Sequence, residues 1–389
     1  MTRHWSINGR FLAQRLTGVQ RYAREIVSAL DAALSSGTPL ARDLAIELLL
    51  PRDAIDDLPL TAIRTRRVGR QTGQVWEQFE LPRHLAGGLI SLGNVGPLLA
   101  RRHILCLHDT TPQDCPESYS RLFRASHVLL QPRLGRSADR IMTVSRHAAD
   151  RLVACGLCEA RKVMIAPNGH EHTRRWIPGH SAATRAAAGP NTVVVIGTPA
   201  PHKNVGMLIR AASAMTRAGL RLALVGSSDL RIFQPDPASQ QAPEEADIVR
   251  LGRVSDGELA ALLGDSLCLA FPSRFEGFGL PVLEAMALGC PVVASDRAGL
   301  PALAGEAALY ASPDRPEQWI KAFVALHQDA ALRARMRDAG RLRAERFSWR
   351  HSAGRYLAAM AEVDGLSAEV EAAAVWQSND NNEVGQPCS

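Results

Sequence analysis

A chain of 389 residues, 46% of them apolar and 22% charged, has material for two compact cores and is too long for one ordinary core; this excludes a fibrous or wholly disordered protein. No apolar run approaches the roughly 18 to 20 residues of a membrane-spanning helix, and seven cysteines, an odd number, read as reduced thiols rather than a disulfide frame or zinc site. The +6 formal charge is uneven: residues 1–170 hold 23 basic and 15 acidic side chains, and the remainder 22 and 24.

The basic first half suits an anionic partner such as a membrane surface or a pyrophosphate-linked substrate. No RNP, zinc-finger or helix-turn-helix signature supports nucleic acid. The opening MTRHWSINGR lacks an apolar signal core, so a cytoplasmic location is expected rather than export through a cleaved signal peptide.

In chain order, LAIELLL, GGLISL, RHILCLHD and DRIMTVS read as strands, separated by amphipathic stretches such as GVQRYAREIVSALDAAL. This alternation predicts a mainly parallel sheet with helices on its faces, so residues 1–170 are expected to form a Rossmann-like domain. Residues 171–190, with HTRRWIPGH and then GP, have neither period and are expected to be an interdomain linker. A second series follows in TVVVIG, LRLALVG, ADIVRLG, SLCLAF and PVVAS, interleaved with NVGMLIRAASAMTRAG and SDGELAALLGD. It predicts a second Rossmann-like domain over 191–347. A helix at 348–364 is expected to pack back on the first domain, and the polar tail 365–389 to be disordered. The fold class is therefore α/β, two doubly wound domains facing a cleft, with ligands at the carboxyl ends of the strands.

The stretch EGFGLPVLE places Glu276 and Glu284 around a bend, with a helix predicted to start near Leu280 and Pro281. A helix starting directly after a parallel strand aims free amides at the cleft. Glycines 277 and 279 are expected to let backbone approach a ligand. From spacing, both acids admit two readings: hydroxyl acceptors at either end of a phosphate ligand, or a solvated loop acid and a first-turn acid serving the helix dipole. Lys203, in GTPAPHKN, is one of three lysines against 42 arginines; it is either a point charge for a developing phosphate charge or a surface residue. His108 and Asp109 follow the predicted strand RHILCL, as a structural pair or a general base. Thr17 precedes Gly18 as a possible N-cap, Ser145 reads as a cap, and Trp76 and Glu77 as packing or acceptor contacts.

The run FPSRFEGFGLPVLEAMALGCPVVASDRAGLPAL resembles the signature segment of family 4 retaining glycosyltransferases of the GT-B fold, which carry two glutamates separated by seven residues; the similarity extends from about Asn8 to Tyr356. NGRFLAQRLTGVQRYAREI and PNGHEH resemble a bacterial subgroup that builds mannose-containing lipopolysaccharides and exopolysaccharides.

The resemblance implies that Glu276 faces the transferred sugar and Glu284 holds the donor ribose, while backbone groups of Phe278, Gly279 and Leu280 contact sugar and diphosphate. It also implies that Lys203 meets the diphosphate, His108 approaches the sugar, and Gly18 lets its loop approach the donor phosphate and acceptor. Thr198 stands where the family commonly has an arginine, and Arg274 or Arg253 are candidates to replace it. The implied reaction is retaining transfer of a hexose, mannose from GDP-mannose, to a lipid-linked or lipopolysaccharide glycan at the inner membrane face, without metal or cofactor. A sugar-nucleotide epimerase or phosphorylase of the same fold, or a non-catalytic sugar-nucleotide-binding partner, are the alternatives.

Overall fold

The computed structural model describes residues 2–226, 236 and 246–366. Of the expected tail at 365–389, residues from 367 onward lie outside the described residues. The first sheet is built from β1 (Arg3–Asn8), β2 (Leu44–Leu50), β3 (Arg64–Arg67), β4 (Gly88–Ser91), β5 (His103–Cys106), β6 (Arg140–Thr143) and β7 (Val163–Ile165). Its spatial order is β3-β2-β1-β4-β5-β6-β7. The second sheet comprises β8 (Thr192–Ile196), β9 (Arg221–Val225), β10 (Ile248–Gly252), β11 (Cys268–Phe271), β12 (Val292–Ser295) and β13 (Leu309–Ala311), in the order β10-β9-β8-β11-β12-β13. All pairings are parallel.

Both sheets start in the middle, grow to one edge, and then resume beside the first strand to grow to the other. Where growth reverses, loops leaving adjacent strands diverge and open a crevice at their carboxyl ends. The reversal lies between β1 and β4 in the first sheet and between β8 and β11 in the second. Strands β4, β5, β11 and β12 are buried at every position, because helices cover both faces of a parallel sheet, and this is why they read as unbroken apolar runs.

Strand β3, RTRR, has no apolar run and escapes sequence reading. It is an edge strand recruited by pairing with β2, and Arg66 Nη2 donates to Glu47 Oε1 at 2.9 Å. The segment 171–190 also differs from its aperiodic reading: it holds a 3-10 turn, Glu171–Arg175, and a short helix, Ala182–Ala187, capped by Ser181.

The helix Gly18–Ser35 buries Tyr22, Ile26, Val27 and Leu30 at helical spacing. Against it lies the Trp349–Val363 helix, with Tyr22 Oη and Tyr356 Oη 3.1 Å apart. Asp364, just beyond that helix, accepts from Trp5 Nε1 at 3.1 Å and pairs with Arg3 at 3.4 Å. After leaving the second sheet, the chain thus crosses back and ends its described course on the first.

Candidate active site

The chain leaving β8 makes a 3-10 turn, Pro201–Lys203. Asn204 then bends it into the Val205–Arg217 helix with a φ of 54°, in the left-handed region that asparagine tolerates. Its side-chain amide donates to Pro313 O at 2.8 Å, fixing the turn. Lys203 is thereby presented from one side of the second sheet's reversal point, and Glu276, in the loop after β11, from the other. Lys203 Nζ and Glu276 Oε1 are 2.7 Å apart, with side chains 23% and 12% exposed. An ion pair straddles the crevice mouth.

Gly279 starts the helix Leu280–Ala287 with a φ of 101°, a conformation costly to any residue with a Cβ. A Cβ there would also lie 2.7 Å from Leu300 Cδ2. The Phe278 ring is buried edge-on against Phe347, with centroids 5.7 Å apart, so only its backbone is available to the crevice. Among the described residues, the amides of Phe278, Gly279 and Leu280 donate to no protein acceptor. Three free donors at the positive end of a helix form a site for an anionic oxygen.

Glu284 lies one turn into that helix, 5% exposed. Its Oε1 accepts from His172 Nε2 at 2.9 Å and lies 3.5 Å from Arg21 Nε. Arg21 reaches across from the first domain and also pairs with Asp256 at 2.6 Å. Glu284 therefore faces the space between the lobes, and its Oε2 has no hydrogen-bond partner among the described residues. Thr198 Oγ1 is buried without a partner. Of the two candidates to replace the missing arginine, Arg274 donates its backbone amide to His202 O at 2.8 Å while its guanidinium pairs with Asp314 at 2.5 Å, and Arg253 donates to Leu16 O at 2.9 Å.

In the first domain, the His108 ring lies edge-on to Tyr22 at 4.8 Å, and Nε2 donates to Leu92 O at 2.9 Å. Burial works against charging this ring, but the Cys106 sulfur, the Leu92 carbonyl and the Asp109 carboxylate together outweigh it and raise its pKa to about 9. Asp109 Oδ1 accepts from the Thr111 amide at 2.9 Å, and the two side chains form no hydrogen-bonded dyad. A Cβ on Gly18 would meet nothing within 4 Å, so packing does not demand a glycine there. Thr17 occupies the N-cap position but makes no capping bond; its hydroxyl donates to Gln20 instead. Trp76 is packing, with Nε1 donating to Val68 O at 2.8 Å, and Glu77 accepts from Asn8 at 2.7 Å.

The lobes touch at Gly277. A Cβ there would lie 2.3 Å from His108 O, so this glycine serves the approach of the other lobe's backbone, a correction to its expected role of admitting a ligand. Ser145 caps its helix by accepting from the Ala148 amide at 3.0 Å and donates to Gly277 O at 2.6 Å. Nearby, Tyr119 stacks on His202 at 5.9 Å, and the His202 amide donates to Ser118 Oγ at 3.1 Å. Burial and the adjacent Lys203 ammonium hold His202 well below the usual histidine range. Sequence reasoning assigned no role to Arg21, His172 or Trp349, although Arg21 and His172 lie in the stretches NGRFLAQRLTGVQRYAREI and PNGHEH that carry the resemblance.

Among the described residues, no helix is long and apolar enough to cross a membrane, and no three His, Cys, Asp or Glu side chains gather to hold a metal.

Two doubly wound domains meeting over such a crevice define a protein of the GT-B class. Residues 190–329 match the family described as glycosyl transferases group 1, and this second domain belongs to that family. The chain is similar to D-inositol 3-phosphate glycosyltransferase of Saccharomonospora viridis, 32% identical over 66% of this chain and 63% of that protein. It is also similar to O-antigen chain mannosyltransferase B of Escherichia coli, 29% identical over 65% and 68%. The chain thus spans about two thirds of these relatives' lengths. Among solved structures, Anabaena Alr3699/HepE in complex with UDP and glucose has a TM-score of 0.64 at 17% identity, covering 91% of this chain and 97% of that one. WaaG, a glycosyltransferase involved in lipopolysaccharide biosynthesis, has a TM-score of 0.62 at 14% identity, covering 91% and 98%. These last likenesses are of fold.

Proposed function

We propose that the protein is a family 4 retaining glycosyltransferase moving a hexose, mannose from GDP-mannose, onto a lipid-linked or lipopolysaccharide or exopolysaccharide glycan. The observation that carries this reading is the Lys203–Glu276 pair at 2.7 Å beside three free amides at the second sheet's reversal point. A nucleotide sugar supplies what each group lacks. Its diphosphate takes the amides and the Lys203 ammonium, freeing Glu276 to face the sugar. Its ribose hydroxyls donate to Glu284.

As the anomeric carbon separates from phosphate, negative charge grows beside Lys203 and the helix amides, and positive charge develops at the sugar near the Glu276 carboxylate. The leaving phosphate accepts the acceptor's proton on the same face, so configuration is retained. Closure of the first domain on Gly277 excludes water that would otherwise hydrolyse the donor. The proposed reaction uses no metal: Lys203 and the amides supply the positive charge. The basic first half would rest against the anionic inner face of the cytoplasmic membrane.

The test is transfer of label from GDP-mannose to a lipid extract in buffer containing EDTA, after thermal-shift screening of GDP, UDP and ADP. Stabilisation greatest with GDP and label in a glycolipid are expected; label only in an isomerised sugar nucleotide, or stabilisation by UDP alone, contradicts the mannose assignment. Glu284→Ala is expected to weaken binding of the bare nucleoside diphosphate by about tenfold, the effect of losing charge-assisted bonds to two hydroxyls. Calorimetric titration checks this, and unchanged affinity would refute the ribose contact.

A further inference from the structure

We infer that His172, in the segment joining the two lobes, is a positioning residue for Glu284, and that Trp349 fixes the tautomer through which it acts. This rests on the reading that Glu284 accepts the donor's ribose hydroxyls. A glutamate has three rotatable bonds, and holding its carboxylate in one plane for a vicinal diol costs side-chain entropy unless the protein has already fixed it. His172 supplies that constraint. Its ring is fully buried, and Nε2 lies 2.9 Å from Glu284 Oε1.

The indole N–H of Trp349 lies 3.0 Å from His172 Nδ1. An indole nitrogen can only donate, so Nδ1 must accept, which places the proton of the neutral ring on Nε2, facing the carboxylate. Trp349 is itself anchored. Its amide donates to Glu171 Oε2 at 3.0 Å, while Ser348 Oγ donates to Glu171 Oε1 at 2.6 Å. On the other side Trp176 packs edge-on to His172 at 5.4 Å and carries the Arg21 guanidinium 5.1 Å from its ring.

The relay Trp349–His172–Glu284 thus draws one member from each of the two crossings between lobes and the third from the nucleotide-side helix. It occupies Oε1 and leaves Oε2 to the crevice. Orientation of a functional carboxylate by a histidine that a third group holds is the same device by which outer-shell partners aim metal ligands. The consequence is that preference for a ribose is set partly from the hinge.

The experiment compares calorimetric affinities of wild type, His172→Ala, His172→Gln and Trp349→Phe. The probes are whichever of GDP, UDP and ADP binds wild type most tightly and its 2′,3′-dideoxy counterpart. Wild type is expected to favour the ribose form by about tenfold or more. His172→Ala should lose most of that preference, by weakening the ribose form about tenfold while leaving the dideoxy form within about twofold. His172→Gln, whose side-chain amide can donate to the same oxygen, should restore most of it. Trp349→Phe should fall between, and with the glutamine variant it keeps the test open should His172→Ala not fold. A purely structural histidine would change both probes alike or neither, and that result overturns the inference while leaving the ribose contact standing. Wild type that fails to distinguish the two probes, or binds none of the three diphosphates, overturns the ribose reading and the inference with it.

Discussion

Glu276→Gln is expected to lower sugar transfer by at least about 10²- to 10³-fold while nucleoside diphosphate affinity stays within about threefold of wild type. The asymmetry follows from where the carboxylate sits. It lies at the open mouth of the crevice, 2.7 Å from Lys203, and away from the Glu284 end assigned to the nucleotide. Glutamine keeps the shape and an oxygen for Lys203, but removes the negative charge that would stabilise a developing positive sugar. Single-turnover transfer alongside diphosphate titration separates the two quantities. Equal losses in both would assign Glu276 to donor binding, and full activity would remove it from the chemistry.

Gly277→Ala should reduce turnover by about 10²-fold, the cost typical of an ångström-scale misplacement of reacting groups, with little effect on diphosphate affinity or melting temperature. The added methyl would meet the backbone carbonyl of His108 at 2.3 Å and Asp109 Cβ at 3.0 Å. A carbonyl cannot rotate out of the way as a flexible side chain would, so the lobes must separate. The Ser145–Gly277 bond at 2.6 Å would lengthen with them. Gly277 does not have a positive φ, and the three atoms nearest the added methyl all belong to His108 and Asp109 of the other lobe, so the expected effect falls on closure. An increased radius of gyration in small-angle scattering, together with lost turnover, is the expected pair of results. Wild-type turnover would mean that the touching arrangement is not the reactive one.

These expectations draw on residues of unequal legibility. Glu276, Glu284 and the helix start at Leu280 were readable because they lie in one short strand–loop–helix unit. There local rules apply: an apolar run, a glycine before the helix, a proline in its first turn. Strand β3 was not readable, because RTRR contains no burial pattern and becomes a strand only when β2 offers its edge. Gly277 was visible as a glycine, but its reason was not. The atom that forbids a side chain there belongs to His108, in the other domain.

The order of apolar runs and amphipathic segments, read along the chain, is enough to establish two parallel α/β units, since periodicity and capping are properties of near neighbours. The same holds for the strand-to-helix junction with its acids. What the folded molecule alone decided is which charges meet. Lys203 faces Glu276 because the reversal of strand order sets β8 beside β11, and Glu284 receives His172 and Arg21 because the linker and the first domain's opening helix converge there. Such partners are separated by tens to hundreds of residues, and no local interaction encodes their distance. It emerges only when burial of both sheets and the return of the Trp349–Val363 helix have fixed where each lobe must stand.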